Sequence, residues 1–332
     1  EYYSPRSNYI LHLFEDDRGI LWVSTTYGLV RFDPGTERST RYYHVPGDST
    51  SLSHNNIRCV IQEKSGNFWI GTRNGLNYYD TTTQKIRQYF HQKDDPNSLS
   101  DNWIRTIFED RSGNIWLGTN DGGLCLYDRE TNGFTRFTNK LNETSSLSNN
   151  RVYSILEDVD GNIWIGTYNG VNKINKYTYS FNHIKQTSLE KKGPSSNFIW
   201  DFFEDNAGQL WIATSGGVNI YNKETGEFSY IMHQEGQNMS LNSAEVRTMV
   251  YTPDLNCAWF GLYGTGLDRY DLASQEIRHF VPTPDKNSLS DVYISDMLRT
   301  DDGYLWIATS RGLNRFDPES NSFNVYTHSE SD

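Results

Sequence analysis

Residues 158–171 read DVDGNIWIGTYNGV. Gly161 belongs to one turn, Gly170 ends the next, and the Trp164–Thr167 run lies between the two turns. So short an apolar run between two glycine turns reads as a strand and is too short for a helix. The same arrangement recurs along the chain. Seven of the nine tryptophans stand at 22, 69, 116, 164, 211, 259 and 306, spaced 47, 47, 48, 47, 48 and 47 residues apart. Self-similarity at one period is the mark of a repeat architecture. Seven such repeats use up the 332 residues, which predicts one domain over 1–332 and overrules the two-domain prior set by length.

The surroundings of each tryptophan repeat as well. Two positions on stands a small residue: Ser24, Gly71, Gly118, Gly166, Ala213, Gly261 or Ala308. Those two positions share one face of a strand, so a large ring beside a small residue lets a neighbouring sheet come close. Each repeat divides into four strands, typified by Ile57–Ile61, the Trp69 run, Leu76–Tyr79 and Lys85–Phe90. The third strand stops at Asp33, Asp80, Asp128, Asn175, Asn222, Asp271 or Asp317, all Asx-turn formers. A Ser-Leu-Ser connection leads onward at 51–53, 98–100, 146–148 and 288–290. The sixth copy breaks the first turn with Pro253-Asp254-Leu255-Asn256. Ser322–Tyr326 supplies the seventh repeat with its own fourth strand, while Glu1-Tyr2-Tyr3 resembles the end of such a strand. No segment sustains helical periodicity. Four strands repeated seven times predict an all-β fold, a seven-bladed β-propeller of antiparallel four-stranded blades.

Composition agrees. Hydrophobic residues make up 36% of the chain, but aromatic residues reach 14%, which suits short strands better than long helices. A net charge of −12 argues against nucleic acid or an anionic membrane surface as partner. No apolar run is long enough to span a bilayer as a helix, and Glu1–Asn8 does not read as a signal peptide. Three cysteines make no disulfide framework.

The run at 158–171 resembles the two-component regulator propeller repeat, and all seven copies share the resemblance, the sixth least. The resemblance implies the periplasmic sensor part of a hybrid two-component regulator of gut bacteria. Such sensors place two propellers before an immunoglobulin-like domain, a membrane helix and a histidine kinase, and many respond to oligosaccharides. It thus implies that this chain is an excised half of a longer sensor, or a stand-alone relative, with an oligosaccharide as ligand and, in the longer sensor, a companion propeller and immunoglobulin-like domain as partners.

No catalytic or metal constellation emerges from the residues. His44, His91, His233 and His328 stand near the ends of fourth strands in separate repeats, and His12, His54, His183 and His279 form no spaced cluster. They read as edge or turn residues. Cys59, Cys125 and Cys257 read as small buried hydrophobes, without metal-ligand spacing. The acidic turns at Asp16-Asp17, Asp158-Asp160 and Asp301-Asp302 lack an EF-hand's length and closing Glu, so they read as turn chemistry. The expectation is no cofactor, no metal and no enzyme activity for this domain.

Residues at the starts of the first strands are expected to converge with the second-to-third turns at one mouth of a propeller channel. They are Tyr9, Leu11, Asn56, Arg58, Trp103, Arg105, Arg151, Tyr153, Phe198, Trp200, Glu245, Arg247, Tyr293 and Ser295. The turns add Tyr27, Arg73, Asn74, Asp121, Tyr168, Asn169, Tyr263 and Arg311. Both non-repeat tryptophans, Trp103 and Trp200, fall in this set. Two readings stand. The arginines pair with carboxylates on neighbouring blades, for which Glu15, Glu109, Glu157 and Glu204, on the same strands at even spacing, are available partners, and the tryptophans plug the channel. Alternatively Trp103, Arg105, Trp200, Arg58, Arg247, Tyr153, Tyr168 and Arg311 bind a sugar, which the arginines would favour as an anionic one. The rivals are a protein-interaction scaffold, and a propeller lyase or glycan hydrolase using Glu245 or Asp121 as acid.

Overall fold

The computed structural model describes residues 9–175, 177–186, 193–237, 239–285 and 287–327. Their strands assemble into seven four-stranded antiparallel sheets, each made from four strands consecutive in sequence. This is the predicted seven-bladed β-propeller. Helix among the described residues is confined to one 3-10 turn, Pro253–Leu255. It lies where the sixth repeat departs from the others, and Asn256 after it takes the left-handed conformation (φ 46°) that glycine supplies in the remaining copies.

The strand bounds follow the sequence reading closely. In the second blade they are Ile57–Gln62, Phe68–Thr72, Leu76–Asp80 and Lys85–Tyr89. The seventh blade ends on its own Ser322–Tyr326. The Glu1-Tyr2-Tyr3 segment lies outside the described residues. By contact density the chain divides into two compact units, one holding the chain up to Leu13 and from Lys185 onward, the other Phe14–Ile184.

Each feature of the repeat has a physical reason. The second strands are buried along their whole length. The indole N–H of Trp22, Trp116, Trp164 and Trp211 is donated to the carboxylate of Asp16, Asp110, Asp158 and Asp205, six residues earlier, at 2.8–3.1 Å. The Glu63 carboxylate does the same for Trp69, and the Thr252 hydroxyl, seven residues earlier, accepts from Trp259. The other oxygen of each of those four aspartates accepts backbone N–H groups of the turn, so one buried carboxylate satisfies turn and ring together. These acids are therefore turn residues, as expected, but the aspartate that matters in the first turn is Asp16. The threonine after the small residue closes the next hairpin: Thr25, Thr72 and Thr167 donate to the carbonyls of Gly28, Gly75 and Gly170.

The histidines hold connections. His44, His91 and His233 bond through Nδ1 to the carbonyls of Leu52, Leu99 and Leu241, buried leucines of the Ser-Leu-Ser links and the matching link of the sixth repeat. His328 lies outside the described residues. The cysteines are buried free thiols, and burial pushes Cys59 up to about 12. No group of three or more His, Cys, Asp or Glu side chains suited to a metal ion occurs among the described residues.

Candidate functional site

The first strands carry a feature that alternation of residues does not reveal. Pairing with the second strand skips one residue in each of six blades. Ile57 pairs Thr72 and Cys59 pairs Gly71, leaving out Arg58. The third to seventh blades likewise leave out Arg105, Tyr153, Trp200, Arg247 and Ser295. A β-bulge frees a residue from the ladder and re-aims its side chain. Five of the eight predicted site residues are bulge residues.

In the unit Phe14–Ile184 these bulges build a layered stack. The Arg105 guanidinium lies 4.9 Å from the Trp103 ring centre and 4.7 Å from that of Tyr153. Arg73, from a second-to-third turn, covers Trp103 at 4.7 Å. Both Nε and Nη2 of Arg105 donate to the Asn120 side-chain oxygen. Burial brings Arg105 down to about 10, and the nearby charges of Arg58 and Arg151 add in the same direction. Arg151 bonds Asp121 at 2.8 Å and faces the ring of Tyr168 at 5.7 Å. Asp101 orders the surroundings by accepting the backbone N–H of Trp103 and Asp121. Tyr168 is 48% exposed at the edge of the cluster.

The unit from Lys185 onward holds a second stack of the same kind. The Arg247 guanidinium lies 3.5 Å from the Trp200 ring centre and 4.5 Å from that of Tyr263, with Glu245 at 2.5 Å. Phe198 packs on Trp200 at 4.3 Å, and the Trp200 indole donates to Ser215. Tyr263 and Tyr293 meet edge-on at 5.1 Å, and both are more than two-fifths exposed. Arg311 stays exposed, 3.6 Å from Asp291.

Arg151 thus pairs with a carboxylate of a neighbouring blade, as the first reading has it, and Arg247 with Glu245, while Arg105 bonds the Asn120 amide instead. Glu109 accepts the backbone N–H of Lys64, Glu157 that of Arg111, and Glu204 pairs with Lys223. Four residues of strand span about 13 Å, which puts Arg105 and Glu109 at opposite ends of one strand. Arg129, which reads in the sequence as an exposed turn residue, bonds the buried carboxylate of Glu63 at 2.8 Å. The two acids considered for catalysis, Asp121 and Glu245, are each engaged by an arginine. The missed partners Asn120 and Asp101 are polar residues that flank the predicted positions.

The family model of the two component regulator propeller matches residues 4–27, 51–74, 98–121, 146–169, 193–216 and 288–311. The chain belongs to that family. The sixth copy, with its 3-10 turn, is the one the match leaves out. No curated protein matches this regulator propeller in sequence. Among solved structures, the extracellular domain of BT4673 of B. thetaiotaomicron, assigned as a hybrid two component system, matches at 24% identity and a TM-score of 0.51. The corresponding domain of BT3049 of the same organism matches at 19% identity and a TM-score of 0.62. These matches cover 99% and 100% of the propeller chain but 50% and 55% of the domains, so it spans about half their length. Virginiamycin B lyase from Staphylococcus aureus matches at 14% identity and a TM-score of 0.67, over 97% of this chain and 96% of the lyase. At these identities the likeness is one of fold. No helix among the described residues is long and apolar enough to cross a membrane.

Proposed function

We propose that this regulator propeller is a ligand-sensing module of a hybrid two-component sensor, working in the periplasm and without catalysis of its own. Its ligand is an oligosaccharide, taken in each unit separately by the tyrosines and arginines at the edge of that unit's stack. One observation carries the reading: in each unit a bulged inner position presents an arginine or tryptophan held between rings and ending in exposed tyrosines. Rigid aromatic surface beside fixed guanidinium donors suits a ring with an apolar face and polar edges. Arg105 and Arg247 are already sandwiched, so they position the surface, and Tyr168, Arg73, Tyr263, Tyr293 and Arg311 make the contacts.

A second reading is docking of a companion propeller or immunoglobulin-like domain on the same residues. It is favoured by the half of the neighbours' length that this chain does not span, and by the enrichment of Tyr, Trp and Arg at protein–protein hot spots. A thermal-shift screen with a panel of neutral and anionic oligosaccharides, followed by calorimetry on Tyr168→Ala and Tyr263→Ala, tests the proposal. A binding anchor typically loses about thirtyfold in affinity on truncation. Unchanged affinity in both variants rules out these two edges. A panel without binders, beside binding of a companion domain that both variants weaken, supports the docking reading.

A further inference from the structure

The junction between the first and second blades differs from the next one along. Between the second and third blades, Glu63 receives the Trp69 indole, the Tyr78 hydroxyl and Arg129 from across the junction. The rings of Tyr78 and Tyr127 pack on Trp69 at 4.7 and 4.8 Å. That junction is filled. At the first junction the matching positions are Asp16 for Glu63, Arg31 for Tyr78 and Thr81 for Arg129. Asp16 spends its oxygens on its own turn and on Trp22. Thr81 turns back to Gly66 and Asn67 of its own blade. The result is a cavity of about 410 Å3 at the end of the sheets where the first-to-second and third-to-fourth turns lie, opposite the Trp103 stack.

The apolar lining is Trp22, Tyr42, Phe68 and Tyr79, with ring centres 4.5–6.4 Å apart. Above it stand donors. Among the described residues none accepts a hydrogen bond from the side chain of Arg31 or Gln84, and Arg18 reaches only Asp17, at 3.9 Å. The one carboxylate in the lining, Asp16, is already satisfied. The lining thus offers the Arg31 guanidinium as a donor, beside amide and hydroxyl groups that can both donate and accept.

We propose that this groove binds a compact organic anion with a flat apolar face, its carboxylate on Arg31 and its face on the Tyr42 and Tyr79 rings. A guanidinium fork matches a carboxylate bidentately, and aromatic walls with a few placed polar groups are the usual make-up of small-molecule sites. Asp16 in the lining, Asp17 beside Arg18 and Asp33 near Arg31 oppose an anion locally and the Arg31 and Arg18 guanidinium groups offset them, while the remaining negative charge of the chain is screened by physiological salt. The site is independent of the oligosaccharide reading and shares no residue with it.

The test uses the indole N–H signal of Trp22 in nitrogen-15 NMR of the tryptophan-labelled chain, assigned by Trp22→Phe. Benzoate and glucuronate serve as the aromatic and sugar forms of the anion, benzamide as the neutral isostere and sulfate as the faceless anion. At least one acid is expected to shift Trp22 saturably at millimolar concentration. Benzamide and sulfate should be at least tenfold weaker. Arg31→Ala should lose at least tenfold in affinity. Thr81→Arg places at this junction the residue that closes the next one, so it should abolish the shift while the remaining indole signals stay dispersed. No saturable shift with either acid overturns the proposal. So does binding that benzamide or sulfate matches, or that Arg31→Ala leaves intact.

Discussion

The Cβ that Gly118 lacks would lie 2.6 Å from Cγ1 of Val152, on the first strand of the neighbouring blade, and as close to Thr106 on its own. Gly71 against Ile104 and Gly261 against Ile294 repeat the relation at other junctions. The small residue beside the tryptophan is thus fixed by the approach of the next sheet. Gly118→Ala should cost about 1–3 kcal/mol by overpacking, and Gly118→Leu more. Lys93→Ala, at an exposed site, should stay within roughly 0.5 kcal/mol. Urea midpoints for the three variants check this, and equal midpoints would refute the packing account.

Arg129→Leu should destabilise the chain by about 1–3 kcal/mol, because it leaves the buried Glu63 carboxylate without its cationic partner. Glu63→Gln should restore much of the loss in the Arg129→Leu background, since the neutral amide needs no cation. A double-mutant cycle by chemical denaturation measures the coupling.

The pH dependence has two limbs. Asp201 accepts the backbone N–H of Met249 and Asp296 that of Leu13, each tying one blade's first strand to the next blade's. Burial raises both carboxyls to about 7, and Asp296 adds to the rise of Asp201. A carboxyl raised in the folded state binds its proton more tightly than in the unfolded chain. Stability from this pair is therefore full below the unfolded value near 4 and is lost as pH climbs toward 7. The turn aspartates Asp80, Asp128 and Asp317 are lowered by hydrogen bonds within their own turns, so their contribution is lost in acid. The melting temperature should peak between these limbs, near pH 4, and Asp201→Asn should flatten its fall between about pH 4 and 7. A melting temperature that rises steadily from pH 5 to 8 contradicts the assignment.

Arg105→Ala and Tyr168→Ala should behave differently without any ligand. The first removes a guanidinium stacked on two rings and bonded to Asn120, and should cost about 1–3 kcal/mol. The second trims an exposed ring and should cost under roughly 0.5 kcal/mol. Calorimetric unfolding of the two variants separates a positioning residue from a contact residue.

The blade count and strand bounds were legible because each rests on local chemistry repeated seven times. The tryptophan needs a small neighbour, the turn needs Gly or Asn256, and the third strand needs its Asx stop. The bulges were not legible, because Ile57–Ile61 or Ile104–Phe108 reads as one continuous strand whether or not one residue is skipped. Partner choice was equally hidden. Even spacing suggested Arg105 with Glu109, but a side chain pairs with what lies beside its end of the strand, here Asn120 in the turn after the next strand. Arg129 looked free because its partner Glu63 is 66 residues away, in another repeat.

The skipped residue in the first strands has an evolutionary consequence. Arg58, Arg105, Tyr153, Trp200, Arg247 and Ser295 stand at one equivalent position and are chemically diverse, while the paired residue just before each is always Ile or Val. A residue outside the ladder can be exchanged without loss of register. Duplication of the repeat copies the frame and this replaceable slot together. Point substitutions at a single position per blade can then rewrite what the propeller displays, while the tryptophans, turns and small residues that hold it stay untouched.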